Sequence, residues 1–249
     1  MRITLLGPCT VQQGRTLTVL RPSGRTNLLV LLLVQHDRVV PARQLAEELW
    51  DGDPPVHAIN DLHAHVSRAR RYLREWDPSD SASLRLHTAF PGYRLTGNGL
   101  LLDLEEFAQL FVLSRSENSG TAEAAARQAL ALWQGRSFEG LRPGPVLGGI
   151  QKRLEEEKSQ VRLRLTDLLL EQGRHAEAVP DLSELVTRHP LDERYHRRLI
   201  IAYHRSGRPA AALEAYHRAR QTLIENLGME PSPELRACLQ NILDEGKRD

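Results

Sequence analysis

The residues best equipped for chemistry in this 249-residue chain are four arginines. Arg68, Arg70, Arg71 and Arg74 lie between Leu62 and Arg74, a run that holds no acid. Guanidinium groups stay charged and pair bidentately with phosphate or with a guanine edge. Read at 100° per residue, His57 to Arg74 forms an amphipathic helix. Ile59, Leu62, Val66, Ala69 and Leu73 make its apolar stripe. The opposite face carries Asn60, Ala64, Ser67, Arg68 and Arg71, with His63, Arg70 and Arg74 towards the flank. A solvated helix face ordinarily mixes signs, because opposite charges at i, i+4 support the helix. An all-arginine face suits an anionic partner, and Ala64 and Ser67 let that partner come close. A basic surface helix without a partner is the plainer account, so the flanking chain has to decide.

Other chemistries find little support. There is no G-x-x-x-x-G-K-[ST] phosphate loop and no H-E-x-x-H. His57, His63 and His65 point different ways on a helix and lack cysteine or carboxylate company, so no metal site is expected. Glu155, Glu156 and Glu157 read as a solvated face. No motif suggests an enzyme or a cofactor. Hydrophobic content of 41% and charged content of 26% describe an ordinary globular protein. The net charge of +1 conceals an asymmetry: residues 1–97 hold 12 Arg against 9 acids, and residues 98–249 hold 21 Lys plus Arg against 23 acids. Cys9 and Cys238 match no redox or zinc spacing and read as reduced thiols. Leu28 to Val34 is too short to span a bilayer, and the N-terminus lacks a signal-peptide layout. A cytoplasmic, nucleoid-associated protein without a membrane partner is expected.

Elements that could position the arginine helix surround it. Residues 2–6 and 16–20 read as strands of a small antiparallel sheet. Thr26 to Gln35 is a buried first helix that Ser23 or Thr26 can cap. Arg38-Val39-Val40 is briefly extended, and Pro41 opens a second helix to Leu49 with Leu45, Ala46 and Leu49 inward. Trp50-Asp51-Gly52-Asp53-Pro54-Pro55 breaks the chain before the arginine helix. Beyond it, Pro78 to Ser83 is a polar loop. Leu84 to Thr88 and Tyr93 to Thr96 form a hairpin about Phe90-Pro91-Gly92. Sheet, three helices and hairpin describe a winged helix whose third helix enters the major groove. The expected DNA contacts are Asn60, His63, Ala64, Ser67, Arg68, Arg71 and Arg74 on the helix, with Thr88, Tyr93 and Arg94 in the wing.

Four segments then carry a resemblance: Leu49-Trp50-Asp51-Gly52-Asp53-Pro54-Pro55, Ala58-Ile59-Asn60, Val66-Ser67-Arg68-x-Arg70-Arg71-x-Leu73 and Gly92-Tyr93-Arg94-Leu95. Together they resemble the Streptomyces antibiotic regulatory protein family, and the likeness covers nearly the whole chain. The resemblance implies an OmpR-type winged helix followed by a bacterial transcriptional activation domain of helical repeats. It further implies activation of a biosynthetic gene cluster through direct repeats near the promoter. By the same resemblance, the loop Trp50, Asp51, Gly52, Asp53, Pro54 and Pro55 would contact RNA polymerase at its σ subunit. Ala69 departs from the family's commoner leucine, and Leu20 to Asn27 is a less regular entry to the first helix.

Thr96-Gly97-Asn98-Gly99 marks the expected boundary between residues 1–97 and 98–249. The second half reads as helix: Asp103 to Ser114, Thr121 to Trp133 with Leu130 and Leu132 inward, and Gln151 to Gln172 after a Gly135–Gly149 loop. Gly173-Arg174-His175-Ala176-Glu177-Ala178 matches Gly207-Arg208-Pro209-Ala210-Ala211-Ala212 at an offset of 34 residues, the tetratricopeptide period. Pro190 is read as starting the next helix, Gly228 as ending the one that follows the second match, and Glu234 to Leu243 as the last helix. The expected fold is mainly α with a small β component: a winged helix, then an all-α tetratricopeptide-like domain. Stacked helix pairs offer a concave protein-binding surface, or a support that dimerises the DNA-binding half. The leading expectation is a DNA-binding activator, homodimeric on DNA. The rival is a helical-repeat scaffold whose winged helix binds protein. That rival calls for apolar residues where Ala64, Ser67 and Arg71 stand.

Overall fold

A computed structural model describes residues 1–77 and 84–245. The expected polar loop Pro78 to Ser83 lies outside the described residues. The fold is mostly helical, at 62%, with small sheets. It divides into two compact units: Met1–Leu110 with Ala131–Glu157, and Phe111–Leu130 with Lys158–Asp249.

The first unit opens with strands β1 (Arg2–Thr4), β2 (Thr10–Gln13) and β3 (Thr16–Val19). Gly14, at φ 56, begins the two-residue turn that closes β2 on β3 with Gln13 opposite Thr16. β7 (Leu101–Leu102) joins parallel to β1, so the sheet order is β3-β2-β1-β7 where two strands were expected. β2 escapes a pattern search because Val11 is its one buried residue, and β7 because it has only two residues.

α1 (Gly24–Val34) starts where Ser23 Oγ accepts the Thr26 N–H at 3.1 Å, which settles its irregular entry. Thr26 to Leu33 are all buried, as befits a helix surrounded by its own unit. β4 (Val39–Pro41) leads into α2 (Ala42–Leu49), and α3 spans Ala58–Trp76. β5 (Arg85–Ala89) and β6 (Gly92–Thr96) form the wing hairpin, and β4 pairs with β6 to give the order β4-β6-β5. Ile59 corrects the expected stripe of α3: it is 46% exposed. The inward positions are Ala58, Leu62, Val66, Ala69, Leu73 and Trp76, spaced 4, 4, 3, 4 and 3. Ala58 already occupies the inward direction at the first turn, and the next residue is turned 100° away from it.

Residues 131–157 belong to this unit through backbone bonds and one buried carboxylate, Glu48, while a second, Asp103, ties the start of α4 (Asp103–Leu113) to the N-terminal segment. Gln134, Phe138 and Glu139 donate their N–H groups to the carbonyls of Leu6, Leu5 and Gly7 at 2.9, 2.8 and 3.0 Å. Asp103 accepts from Leu5 N and Leu6 N, at 2.8 Å on its Oδ2. Glu48 of α2 accepts from Gly144 N at 2.7 Å and Leu147 N at 2.9 Å, capping the N-terminus of α6 (Pro145–Glu171). That helix begins six residues before the expected Gln151, because the Glu48 carboxylate supplies an acceptor for its first turn.

The second unit is helical. α5 (Ser119–Ala131) buries Ala122, Ala125, Ala126 and Ala129, which corrects the expected inward pair: Leu130 is only half-buried, and Leu132 lies beyond the helix. α7 (His175–Arg188), α8 (Glu193–Arg205), α9 (Pro209–Leu227) and α10 (Pro233–Glu245) follow. The 34-residue repeat is visible in the backbone. Gly173 and Gly207 adopt φ 73 and 75, and Arg174 N and Arg208 N close equivalent turns on Leu169 O and Tyr203 O. Ala178 and Ala212 are fully buried at matching positions. α8 starts at Glu193, capped by Asp192, not at Pro190; the Asp192 carboxylate accepts Arg194 N at 3.0 Å. Gly228, at φ 65, ends α9 as expected. Tyr216, Leu223, Leu235 and Ile242 join Ile200 in the core of α8, α9 and α10.

Candidate nucleic-acid interface

α3 carries the surface. Asn60, His63, Ala64, Ser67, Arg68, Arg71 and Arg74 are all exposed along its outer face. Among the described residues, Arg68, Arg71 and Arg74 make no ion pair or hydrogen bond with one another or with neighbours. Three free guanidinium groups on one helix face form a donor array for an anionic or acceptor-rich surface. Arg70 differs. Its Nε donates to Leu86 O at 2.9 Å and its guanidinium NH2 group to Thr88 Oγ1 at 3.0 Å. This arginine therefore clasps the wing to α3. Spacing along a helix contains no sign of such a role, because the partner lies 16 to 18 residues away.

The wing residues divide likewise. Arg94 and Thr88 are exposed, and Arg94 sits opposite His87 in the hairpin. Tyr93 is 3% exposed, so it presents no side-chain surface of its own. Its hydroxyl lies 2.8 Å from His63 Nδ1, fixing the imidazole with Nε2 left for other partners. Burial holds the Tyr93 phenol above its ordinary pKa, so it stays protonated through the physiological range. His65, one turn inward, is pushed down by burial and by Arg68, with Asp61 opposing, and remains neutral near pH 7. Its ring meets Trp50 edge-on at 5.8 Å.

The loop before α3 is ordered by its own backbone. Gly52 N bonds to Glu47 O at 2.8 Å and Asp53 N to Trp50 O at 3.0 Å. Asp51 and Gly52 both adopt positive φ, of 53 and 87. Asp51, Gly52, Asp53, Pro54 and Pro55 are exposed, and Trp50 is half-buried against His65. Glu48, two residues upstream of Trp50, is 2% exposed, and burial raises its pKa against the pull of its backbone donors. The two cysteines are buried free thiols, and burial pushes Cys9 up to about 12. Among the described residues no three His, Cys, Asp or Glu side chains are grouped to hold a metal ion, and no helix is long and apolar enough to cross a membrane.

Residues 18–95 match the family described as transcriptional regulatory protein, C terminal, and residues 102–243 match the bacterial transcriptional activator domain. The chain is 34% identical over 252 residues to the regulatory protein DnrI of Streptomyces peucetius, covering 98% of this chain and 92% of that one. It is also 34% identical over 247 residues to the regulatory protein AfsR of Streptomyces griseus, of which it spans only 24%. Mycobacterium tuberculosis EmbR, solved in complex with a low-affinity phosphopeptide, has a similar structure: the TM-score is 0.78 at 28% identity, over 98% of this chain and 65% of that one. Fold, surface and relatives define a transcriptional regulator with an OmpR-type DNA-binding domain, not an enzyme. The chain belongs to the Streptomyces antibiotic regulatory protein family.

Proposed function

We propose that this regulator is a sequence-specific, cytoplasmic and nucleoid-associated activator of a secondary-metabolite gene cluster. It binds direct repeats near the promoter as a homodimer on DNA and recruits RNA polymerase. Residues 1–97 carry DNA recognition and residues 98–249 carry activation, a division of labour that the packing units do not follow. The observation that carries the reading is the row of exposed, unpartnered Arg68, Arg71 and Arg74 on α3. A protein-binding winged helix would place apolar side chains where Ala64, Ser67 and Arg71 stand. Asn60, Ala64, Ser67, Arg68 and Arg71 face base edges in this reading, with Arg74, Thr88 and Arg94 positioned for the backbone. His63 takes part with the orientation that Tyr93 gives it. The Trp50–Pro55 loop, exposed and bearing Asp51 and Asp53, supplies the contact with the polymerase σ subunit.

The test separates reading from positioning. A duplex is selected from a random-sequence pool by the full chain, and affinities are measured on it and on a scrambled duplex across a salt series. Arg71→Ala should shrink the gap between the two duplexes by roughly 1–3 kcal/mol, the discrimination of one bidentate arginine–guanine pair. Arg94→Ala should weaken both equally and reduce the salt slope by roughly 1. The same uniform loss in both variants would refute the assignment of roles, and unchanged affinity in both would refute docking by α3 and the wing.

A further inference from the structure

The chain has four phenylalanines. Phe107 and Phe138 are fully buried, and Phe111 lies half-buried beneath the Arg115 guanidinium at 4.2 Å. The fourth, Phe90, is 98% exposed. It stands at the tip of the wing, because Ala89 opposite Gly92 is the last pair of the hairpin and Phe90-Pro91 is the turn.

That tip is held from two sides. Pro91 O accepts the Ala42 N–H at 3.1 Å, and Gly92 pairs with Pro41 in β4. A side chain at position 92 would collide with the Val40 carbonyl, so glycine is what lets the two strands come this close. Two residues before the tip, Thr88 is tied to Arg70 of α3. The ring is thus presented on a braced hairpin, with little freedom left to lose on binding.

The surroundings of Phe90 select its partner. Beside Phe90 the turn exposes only Pro91, and the exposed side chains next along the two strands are Arg85, His87, Thr88 and Arg94, which are basic or polar. No other large exposed hydrophobic of the described residues lies in the wing, so Phe90 is the one bulky apolar side chain its hairpin exposes, beside the two small prolines Pro91 and Pro41. A single bulky apolar wedge flanked by cations matches a duplex minor groove, with apolar sugar edges and phosphate walls. The reach is adequate. At about 3.3 Å per residue, Phe90 stands roughly 10 Å beyond the His87–Arg94 pair, far enough to cross one backbone from a helix seated in the major groove.

We propose that Phe90 is a DNA-contacting wedge, which enters the minor groove beside the half-site read by α3 and partly unstacks one base step. The proposal rests on the DNA-binding reading above. Pyrimidine–purine steps unstack most readily, so the wedge confers a preference for TA or CA/TG at one fixed distance from each half-site. Because the ring releases no counterion, its contribution leaves the salt slope unchanged.

The experiment uses the full chain and the selected duplex, with 2-aminopurine placed singly at each step outside the stretch covered by α3. Wild type should raise the fluorescence of one step per half-site. Phe90→Ala should abolish that signal and weaken binding roughly tenfold at an unchanged salt slope, the net of burying one aromatic ring and unstacking one step. Phe90→Trp should keep both. The side chain is exposed, so thermal unfolding of both variants should match wild type. Phe90→Ala with unchanged affinity overturns the wedge and leaves the DNA-binding reading standing. A wild type that raises fluorescence at no step also overturns it. A wild type that recovers no duplex from the pool overturns the DNA-binding reading and the wedge with it.

Discussion

Glu48→Gln gives the sharpest test of how the DNA-reading unit is held together. Glu48 is buried, and its carboxylate satisfies three donors. Oε1 accepts Gly144 N at 2.7 Å and Asn27 Nδ2 at 3.2 Å, and Oε2 accepts Leu147 N at 2.9 Å. Glutamine keeps one acceptor and turns an NH2 group towards a backbone N–H. A hydrogen bond to a charged group is worth about 1.5–3 kcal/mol, and loss of the anion at a helix N-terminus adds roughly 0.3–1 kcal/mol. Relief of the burial cost of an ionised carboxylate, the cost that raises the Glu48 pKa, offsets part of this. The expected net loss is about 2 kcal/mol, the order of leaving one buried donor unsatisfied. It should appear in urea unfolding, with faster amide exchange at Gly144 and Leu147. The pH dependence has a definite sign. A raised pKa means that the folded state holds the Glu48 proton more tightly than the unfolded state. Its contribution is therefore full below the ordinary value near ~4.3 and declines as pH rises through the raised value. The gap between wild type and Glu48→Gln should widen on acidification through that window. A variant within about 0.5 kcal/mol of wild type, the range of ordinary surface substitutions, would refute the clamp.

Two further outcomes follow from the same geometry. A chain cut after Gly97 should lack a cooperative unfolding transition, because Leu5 N and Leu6 N lose Asp103 and the carbonyls of Leu5, Leu6 and Gly7 lose residues 134–139; a sharp melt for that fragment would contradict the packing described. In the second unit, the Glu123 carboxylate is held below its ordinary pKa, first by Arg127 and then by Arg174. The stabilisation it gives is present above the ordinary carboxylate value and is lost as pH falls through the lowered one. Glu123→Gln should thus lower the melting temperature at pH 7, and its gap from wild type should shrink as pH falls below the ordinary carboxylate value; a difference independent of pH would show that the pair with Arg174 is not responsible.

The features legible in the sequence share one property: their signal is local. The outer face of α3 shows itself because residues 60, 63, 64, 67, 68, 71 and 74 recur at helical spacing. The repeat shows itself because Gly173 and Gly207 both need a positive φ and small residues must follow them. Ile59 fails for a local reason too, since Ala58, four residues before Leu62, takes the inward place in the first turn and the next residue points 100° away. The features that stayed hidden depend on partners distant in sequence. Nothing near Arg70 announces that it serves the wing, and nothing near Tyr93 announces that its hydroxyl turns to His63. Glu48 looks like the other polar residues of α2 until Gly144 and Leu147 are brought to it.

The same distinction explains why residues 135–144 read as a featureless loop and yet belong to the DNA-reading unit. A segment docked through an apolar stripe leaves a period in its sequence, but one docked through its backbone leaves none. Here Phe138 N–H serves the carbonyl of Leu5 just past β1, and Glu139 N–H serves that of Gly7 two residues on, while Gly144 N–H serves a carboxylate of α2. Every residue type except proline carries that donor, so the docking constrains side chains only where space is short. Gly144 is such a place, since a Cβ there would meet the Glu48 carbonyl. The chain thus joins its N-terminal sheet segment and α2 to residues beyond 130 by contacts that composition and periodicity cannot encode. A substitution in that segment should therefore loosen α2 and the N-terminal sheet without touching any exposed residue of α3.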